Sequence, residues 1–200
     1  MDRITSHLYA STSTPWWYNI PEIPLHKFQE CMAPVKTEMS KMKSTTSDGD
    51  CDPFFRSAMS GVVSVATKVL AMKIGEFHEH ITGCISGYEN LPVGHDSECD
   101  TRKVDGSEIF ELKNRYNTMN SSSAKTVVEK LSRHANTPGI TTSALVIINR
   151  NGNSPLSRFK APEEVKVWDG QQYYTHITGS DTFFQRLQET FAYSVSNAEA

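Results

Sequence analysis

Glu111-Leu112-Lys113 sets an acid and an amine two residues apart on the apolar stretch Ile109 to Leu112. On a strand, alternate side chains share one side of the sheet, so this carboxylate and this ammonium face together. A carboxylate so placed holds a hard divalent cation, and the ammonium lies where an attacking water or a scissile phosphate would sit. The chemistry is metal-assisted attack on a phosphodiester. Asp100 lies upstream, on the other arm of a predicted hairpin: Cys99 to Val104, a turn at Asp105-Gly106, then Glu108 to Leu112. The turn brings its carboxylate back beside Glu111. Two converging carboxylates repel each other and a phosphate, and a divalent cation between them reverses that balance. A magnesium ion held by Asp100, Glu111 and the Leu112 carbonyl would polarise a phosphoryl oxygen and acidify a bound water. Lys113 would orient that water and stabilise the pentavalent transition state.

An acid-x-Lys triplet alone is weak: with 23 acids and 20 lysines and arginines, chance supplies about one or two. A second copy, Glu164-Val165-Lys166, follows Ala161-Pro162 with no hairpin and no upstream acid, and reads as a solvated face. Other acids compete for the upstream role. Asp96 is the next candidate, Asp105 sits too near the turn, and Glu98 points the same way as Asp100 on an extended arm. Glu76 lies on a long predicted helix, where it either adds a carboxylate for a second metal or is an exposed helix charge.

After Lys113 comes a polar tail. Asn114, Asn117 and Asn120 can donate and accept at base edges, and Arg115 can clamp phosphate or guanine. Ser121, Ser122 and Ser123 precede a helix whose free N–H groups suit a backbone phosphate, with Lys125 nearby. Asn-rich turns and a capped helix start would explain the same residues, but the position directly after the strand favours contact with DNA.

The elements that must position these groups read as helix, hairpin, helix, strand, hairpin, helix, which implies an α/β protein with a mixed sheet flanked by helices. Residues 1–50 form an irregular arm and linker. Its Trp16-Trp17-Tyr18 segment, punctuated by Pro21 and Pro24, reads as an arm packed on the surface, with a dimer or DNA contact as the alternative. Asp52-Pro53 starts a helix running to about His80, with Gly61 and Gly75 arguing against one unbroken piece. Gly83, Gly87, Pro92 and Gly94 mark turns. A helix is expected from about Ser123 to His134, with Val127, Val128 and Leu131 on one face. Thr142 to Ile148 is a buried strand. Val165 to Trp168, Asp169-Gly170 and Gln171 to Ile177 read as a second hairpin. A final amphipathic helix carries Phe184, Leu187 and Phe191.

Composition sets the outer bounds. The chain has 200 residues, a net charge of −3 and 38% hydrophobic residues. This is enough chain for one domain with a real core, and too acidic for a general nucleic-acid coat. Four scattered cysteines with no Cys-x-x-Cys pair indicate a reduced, cytoplasmic protein. No signal peptide and no membrane-spanning run is expected. His78, His80, Cys84, His95 and Cys99 do not share a geometry suited to zinc.

Asp100, the short hairpin and Glu111-Leu112-Lys113 resemble the PD-(D/E)xK nuclease superfamily, with Cys99 where its proline often stands. A longer string is closer. Lys73-Ile74-Gly75-Glu76-Phe77-His78 and Glu111-Leu112-Lys113-Asn114-Arg115-Tyr116-Asn117-Thr118-Met119-Asn120-Ser121-Ser122 resemble type II restriction endonucleases, particularly the group that reads interrupted GG–CC sites. The resemblance runs from about Asp52 to Ala192 and makes 51–200 the nuclease domain, with a restriction-endonuclease-like core. It implies Mg2+, a homodimer on palindromic double-stranded DNA and a companion methyltransferase. A repair, recombination or mobile-element nuclease of the same fold, and a DNA-binding domain without activity, are the alternatives.

Overall fold

The computed structural model describes residues 14–40, 68–115, 119, 121–149 and 161–196; the helix start read at Asp52-Pro53 lies outside them. Among the described residues the sheet has five strands, in the order β1 (Tyr88–Asn90), β2 (Thr101–Lys103), β3 (Glu108–Arg115), β4 (Thr142–Asn149) and β5 (Lys166–Asp169). β1, β2 and β3 pair antiparallel, while β3, β4 and β5 pair parallel. The helices are α1 (Leu25–Ser40), α2 (Lys68–Cys84), α3 (Ser121–Ala135), α4 (Gly170–Thr178) and α5 (Phe183–Ser196).

Strand alternation divides the apolar side chains between two layers. Phe110, Leu112, Ala144, Val146 and Ile148 face a large core shared with α1, α2, α4 and α5. Ile109, Leu145 and Ile147 face a smaller cluster with Val127 and Leu131 of α3. β3 and β4 are covered on both faces, as expected of parallel neighbours in the middle of a sheet. Glu111 and Lys113 alternate with Leu112 and so lie on the α3 side.

The Asp105-Gly106 hairpin is present. Gly106 adopts φ 77°, which the tight turn needs and a glycine supplies without strain. The Asp105 carboxylate accepts from the Ser107 amide at 2.9 Å and closes the turn.

Four elements differ from the sequence expectation. Leu25–Ser40, expected to be an irregular arm, is a helix despite Pro34. Its buried Phe28, Cys31, Met32 and Val35 follow the 3–4 residue spacing of one helical face and join the large core. Cys31 Sγ meets Cys84 Sγ of α2 at 3.8 Å. Tyr88–Asn90, read as turn, is a strand held by pairing with β2. α2 continues unbroken through Gly75.

The second hairpin is a strand followed by a helix. Asp169 caps α4 rather than turning a hairpin: its carboxylate accepts from the Gln172 amide at 2.8 Å, and the Gln172 side chain accepts from the Asp169 amide at 3.1 Å. This reciprocal capping box, with Tyr173, Tyr174 and Ile177 on one buried helical face, overrides the strand-like composition. Gly170 is there for room. A Cβ on it would lie 2.7 Å from Phe184 Cζ and 2.8 Å from the Ile148 carbonyl oxygen. Gly170→Ala is expected to lower stability by about 1–3 kcal/mol, read as a lower denaturant midpoint at unchanged slope.

Of the N-terminal arm, Trp16 meets Tyr193 edge-on at 5.3 Å, and the Tyr18 hydroxyl donates to the Ile23 carbonyl at 2.6 Å. No helix among the described residues is long and apolar enough to cross a membrane.

Candidate active site

Strand register builds the site. Thr101 stands opposite Phe110 and Arg102 opposite Ile109. The same register carried one residue further sets Asp100 opposite Glu111, and the Asp100 amide donates to the Phe110 carbonyl at 3.1 Å. The Leu112 amide then donates to Asp100 Oδ2 at 2.7 Å, which fixes the carboxylate against β3. Lys113 Nζ lies 2.5 Å from Glu111 Oε1 and 3.8 Å from Asp100 Oδ2. Asp100, Glu111 and Lys113 are therefore one cluster.

Burial raises the cost of charge in this cluster. It pushes the Asp100 carboxyl above its ordinary value, Glu111 adds to the effect, and Lys113 and the Leu112 amide oppose it. Burial pulls the Lys113 ammonium down, but Glu111 and Asp100 outweigh it and hold the group above the ordinary lysine value.

Two further groups complete the cluster, and sequence reasoning passed over both. Lys130 of α3 is buried, with Nζ 2.6 Å from Glu111 Oε2. It interrupts the apolar face formed by Ala124, Val127, Val128 and Leu131, and a lysine on a buried face needs an anion. That interruption was the available signal. The second group is Glu79 of α2, which lines a cleft of about 600 Å3 with Leu91, Pro92, His95 and Asp100. Burial raises its carboxyl to about 7, with Asp100 adding to the effect and Lys113 opposing it.

Glu76, the helix acid singled out in the sequence, is bound instead to Lys73 on its own helix at 2.7 Å and is half-exposed. One turn further along much the same side of α2, Glu79 and not Glu76 lines the cleft. Asp96 is exposed on the cleft wall, and Glu98 is exposed with Arg133 3.8 Å away. Glu164 and Lys166 of the second triplet are exposed, as expected.

The polar tail divides. Asn114 is buried: its amide nitrogen donates to the Ala71 carbonyl at 3.2 Å, and its oxygen accepts from Asn149 at 2.8 Å. As an even-numbered position of β3 it faces α2, so its amide is occupied in joining sheet to helix and does not reach a base edge. Arg115 is half-buried at the strand end. Ser122 and Ser123 are exposed in the first turn of α3, and Lys125 is exposed 3.7 Å from Glu129. Asn117, Asn120 and the Ser121 side chain lie outside the described residues.

The Asp100 and Glu111 carboxylates, with a main-chain carbonyl of β3, would make a hard-oxygen donor set that suits a divalent cation, and the Lys113 ammonium lies beside it. Lys113 Nζ, placed between Asp100 and Glu111, already marks a position where positive charge is favoured. Among the described residues no three acidic, histidine or cysteine side chains converge closely enough to hold a metal by themselves. A cation here would therefore draw on main-chain or water oxygens as well.

A family model for the Eco47II restriction endonuclease matches residues 60–198, a span that contains every strand of the sheet and α2 to α5. The chain belongs to the Eco47II restriction endonuclease family. The type II restriction enzyme Sau96I of Staphylococcus aureus is 27% identical over 135 residues, covering 60% of this chain and 51% of that protein. The chain thus spans about half the length of this curated relative. The mixed sheet with helices on both faces agrees with the restriction-endonuclease-like fold of the family.

Glu79 gives a pH test of the cluster. Its folded value of about 7 lies above the ordinary glutamate value of 4.5, so the fold favours the protonated form. Stability from this group is full below about pH 4.5 and falls as pH rises through 7. Glu79→Gln is expected to stabilise the metal-free protein at pH 8 by about 1–2 kcal/mol after solvent screening, read as a higher melting temperature, and to change it little at pH 4.

Proposed function

We propose that the protein is a Mg2+-dependent type II restriction endonuclease that hydrolyses phosphodiester bonds at a specific short palindromic site in double-stranded DNA. The observation that carries this reading is the convergence of Asp100, Glu111 and Lys113 at one point of the sheet. Family membership supports it, and the likeness to Sau96I gives the type II assignment.

Asp100, Glu111 and the Leu112 carbonyl would hold the cation, which supplies Lewis acidity at the phosphoryl oxygen and a more acidic water. Leu112 keeps Asp100 aimed at the site through its amide. Lys113 sits beside both carboxylates, placed to orient the attacking water and to stabilise charge on phosphorus. The first turn of α3, with Ser121, Ser122, Ser123 and Lys125, follows β3 directly and would meet a backbone phosphate. Arg115, Asn117 and Asn120 remain the candidates for base and phosphate contact. A palindromic site favours a homodimer, and an enzyme of this kind works beside a methyltransferase that protects the host. The string from Glu111 to Ser122 points to an interrupted GG–CC site.

The test is digestion of plasmid and of long linear DNA with Mg2+. The wild-type protein is expected to give a discrete ladder with defined ends, and Glu111→Ala and Lys113→Ala none. A nuclease of repair or mobile elements would give no such ladder. Plasmid left intact by the wild type over many sequences and divalent metals would end the enzyme reading.

A further inference from the structure

Among the described residues Lys130 is the only lysine or arginine buried as a whole residue, at 7% exposure. Its ammonium touches two parts of the site. It lies 2.6 Å from Glu111 Oε2, and it donates to the main-chain carbonyl of Glu98, two residues before Asp100. Glu98 adopts a positive φ of 56°, rare for a residue with a side chain, and its carbonyl points to Lys130 from this conformation. His134, four residues further along α3, contacts the Ser97 carbonyl at 2.9 Å. α3 therefore grips the loop that delivers Asp100.

Glu111 thus faces two positive charges, one on each oxygen, and they are not equivalent. Lys113 is a quarter exposed, lies toward Asp100, and has solvent to move into. Lys130 has a side chain 8% exposed and no such exit, because leaving would strand a buried charge. When a cation takes Oε1, Lys113 can yield and Lys130 cannot.

We propose that Lys130 is a positioning residue and a fixed counter-charge. It offers Glu111 to the cation through Oε1 alone, and it keeps cation affinity low until a negatively charged phosphate enters the site. This rests on the reading of Asp100 and Glu111 as cation ligands. The phosphate offsets the buried positive charge, so DNA and cation each strengthen the binding of the other by the same factor. The protein without DNA then carries little metal.

The test is a calorimetric titration of the DNA-free protein with Mn2+, which needs no turnover. Lys130→Met removes the charge and keeps most of the bulk. Lys130→Gln removes the charge but keeps a donor for Glu111 and the Glu98 carbonyl, and so guards against loss of folding. Lys130→Arg keeps the charge. Met and Gln are expected to bind Mn2+ at least tenfold more tightly than wild type, and Arg to stay within about threefold of it. A purely structural role would weaken binding instead, so unchanged or weaker binding by both Met and Gln variants overturns the proposal. Glu111→Ala separates the two levels. If it binds Mn2+ as wild type does, the cation site itself is misplaced and both readings fall. If it loses binding while Met and Gln do not tighten, only the role of Lys130 falls.

Discussion

Glu111→Ala is expected to reduce DNA cleavage by about a thousandfold or more and to destabilise the fold at the same time. The two effects have one origin. Glu111 is the carboxylate on which both lysines converge, with Lys113 on Oε1 and Lys130 on Oε2. Removing it takes away a proposed cation ligand and the carboxylate that pairs with the buried Lys130. Breaking a buried pair from one side costs about 3 kcal/mol or more. Rates are therefore to be compared at a temperature where both proteins are folded, with the denaturant midpoint measured separately. A variant of full stability and lost activity would mean that Lys130 finds another partner. A variant of full activity would remove Glu111 from the mechanism.

Lys113→Met is expected to separate chemistry from binding. Cleavage should fall by about a hundred- to a thousandfold, equivalent to about 3–4 kcal/mol of transition-state stabilisation. Binding of Mn2+ by the DNA-free protein should be retained or improved, because the ammonium between Asp100 and Glu111 competes with a cation for the same two carboxylates. Single-turnover cleavage beside Mn2+ titration reads both quantities. Loss of both together would make Lys113 a structural ion-pair partner rather than a participant in the reaction.

The centre of the site was legible because it is local in sequence. Alternation along β3 puts Glu111 beside Lys113, and the Asp105-Gly106 turn fixes a register that returns Asp100 to them. What was not legible depended on contacts between distant elements. Lys130 is significant only because α3 packs over the Glu111 face of the sheet, and Glu79 only because its turn of α2 lies beside the loop that carries Asp100. Asn114 illustrates the reverse case. Its side chain type suits base recognition, but its parity on β3 turns it toward α2, where Ala71 and Asn149 occupy it.

The same distinction explains the fold. The hairpin, α3, β4 and the last helix each carry their own pattern of turn residues or periodicity. β1 is three residues long and exists through its pairing with β2. α1 was hidden because Pro21 and Pro24 suggest broken chain, although Phe28, Cys31, Met32 and Val35 already marked its buried face. At α4 two local signals competed. Asp169-Gly170 has the composition of a tight turn, but the Asp169 to Gln172 spacing is that of a capping box, and the buried tyrosines settle the outcome toward helix.

Whether Asp100 and Glu111 share a cation can be seen by anomalous diffraction from crystals grown with Mn2+. The expected result is a manganese peak between the two carboxylates, with Lys113 displaced from its place between them and Lys130 still on Glu111 Oε2. A peak elsewhere in the molecule, or Lys113 still bridging Asp100 and Glu111 at saturating Mn2+, would contradict the account.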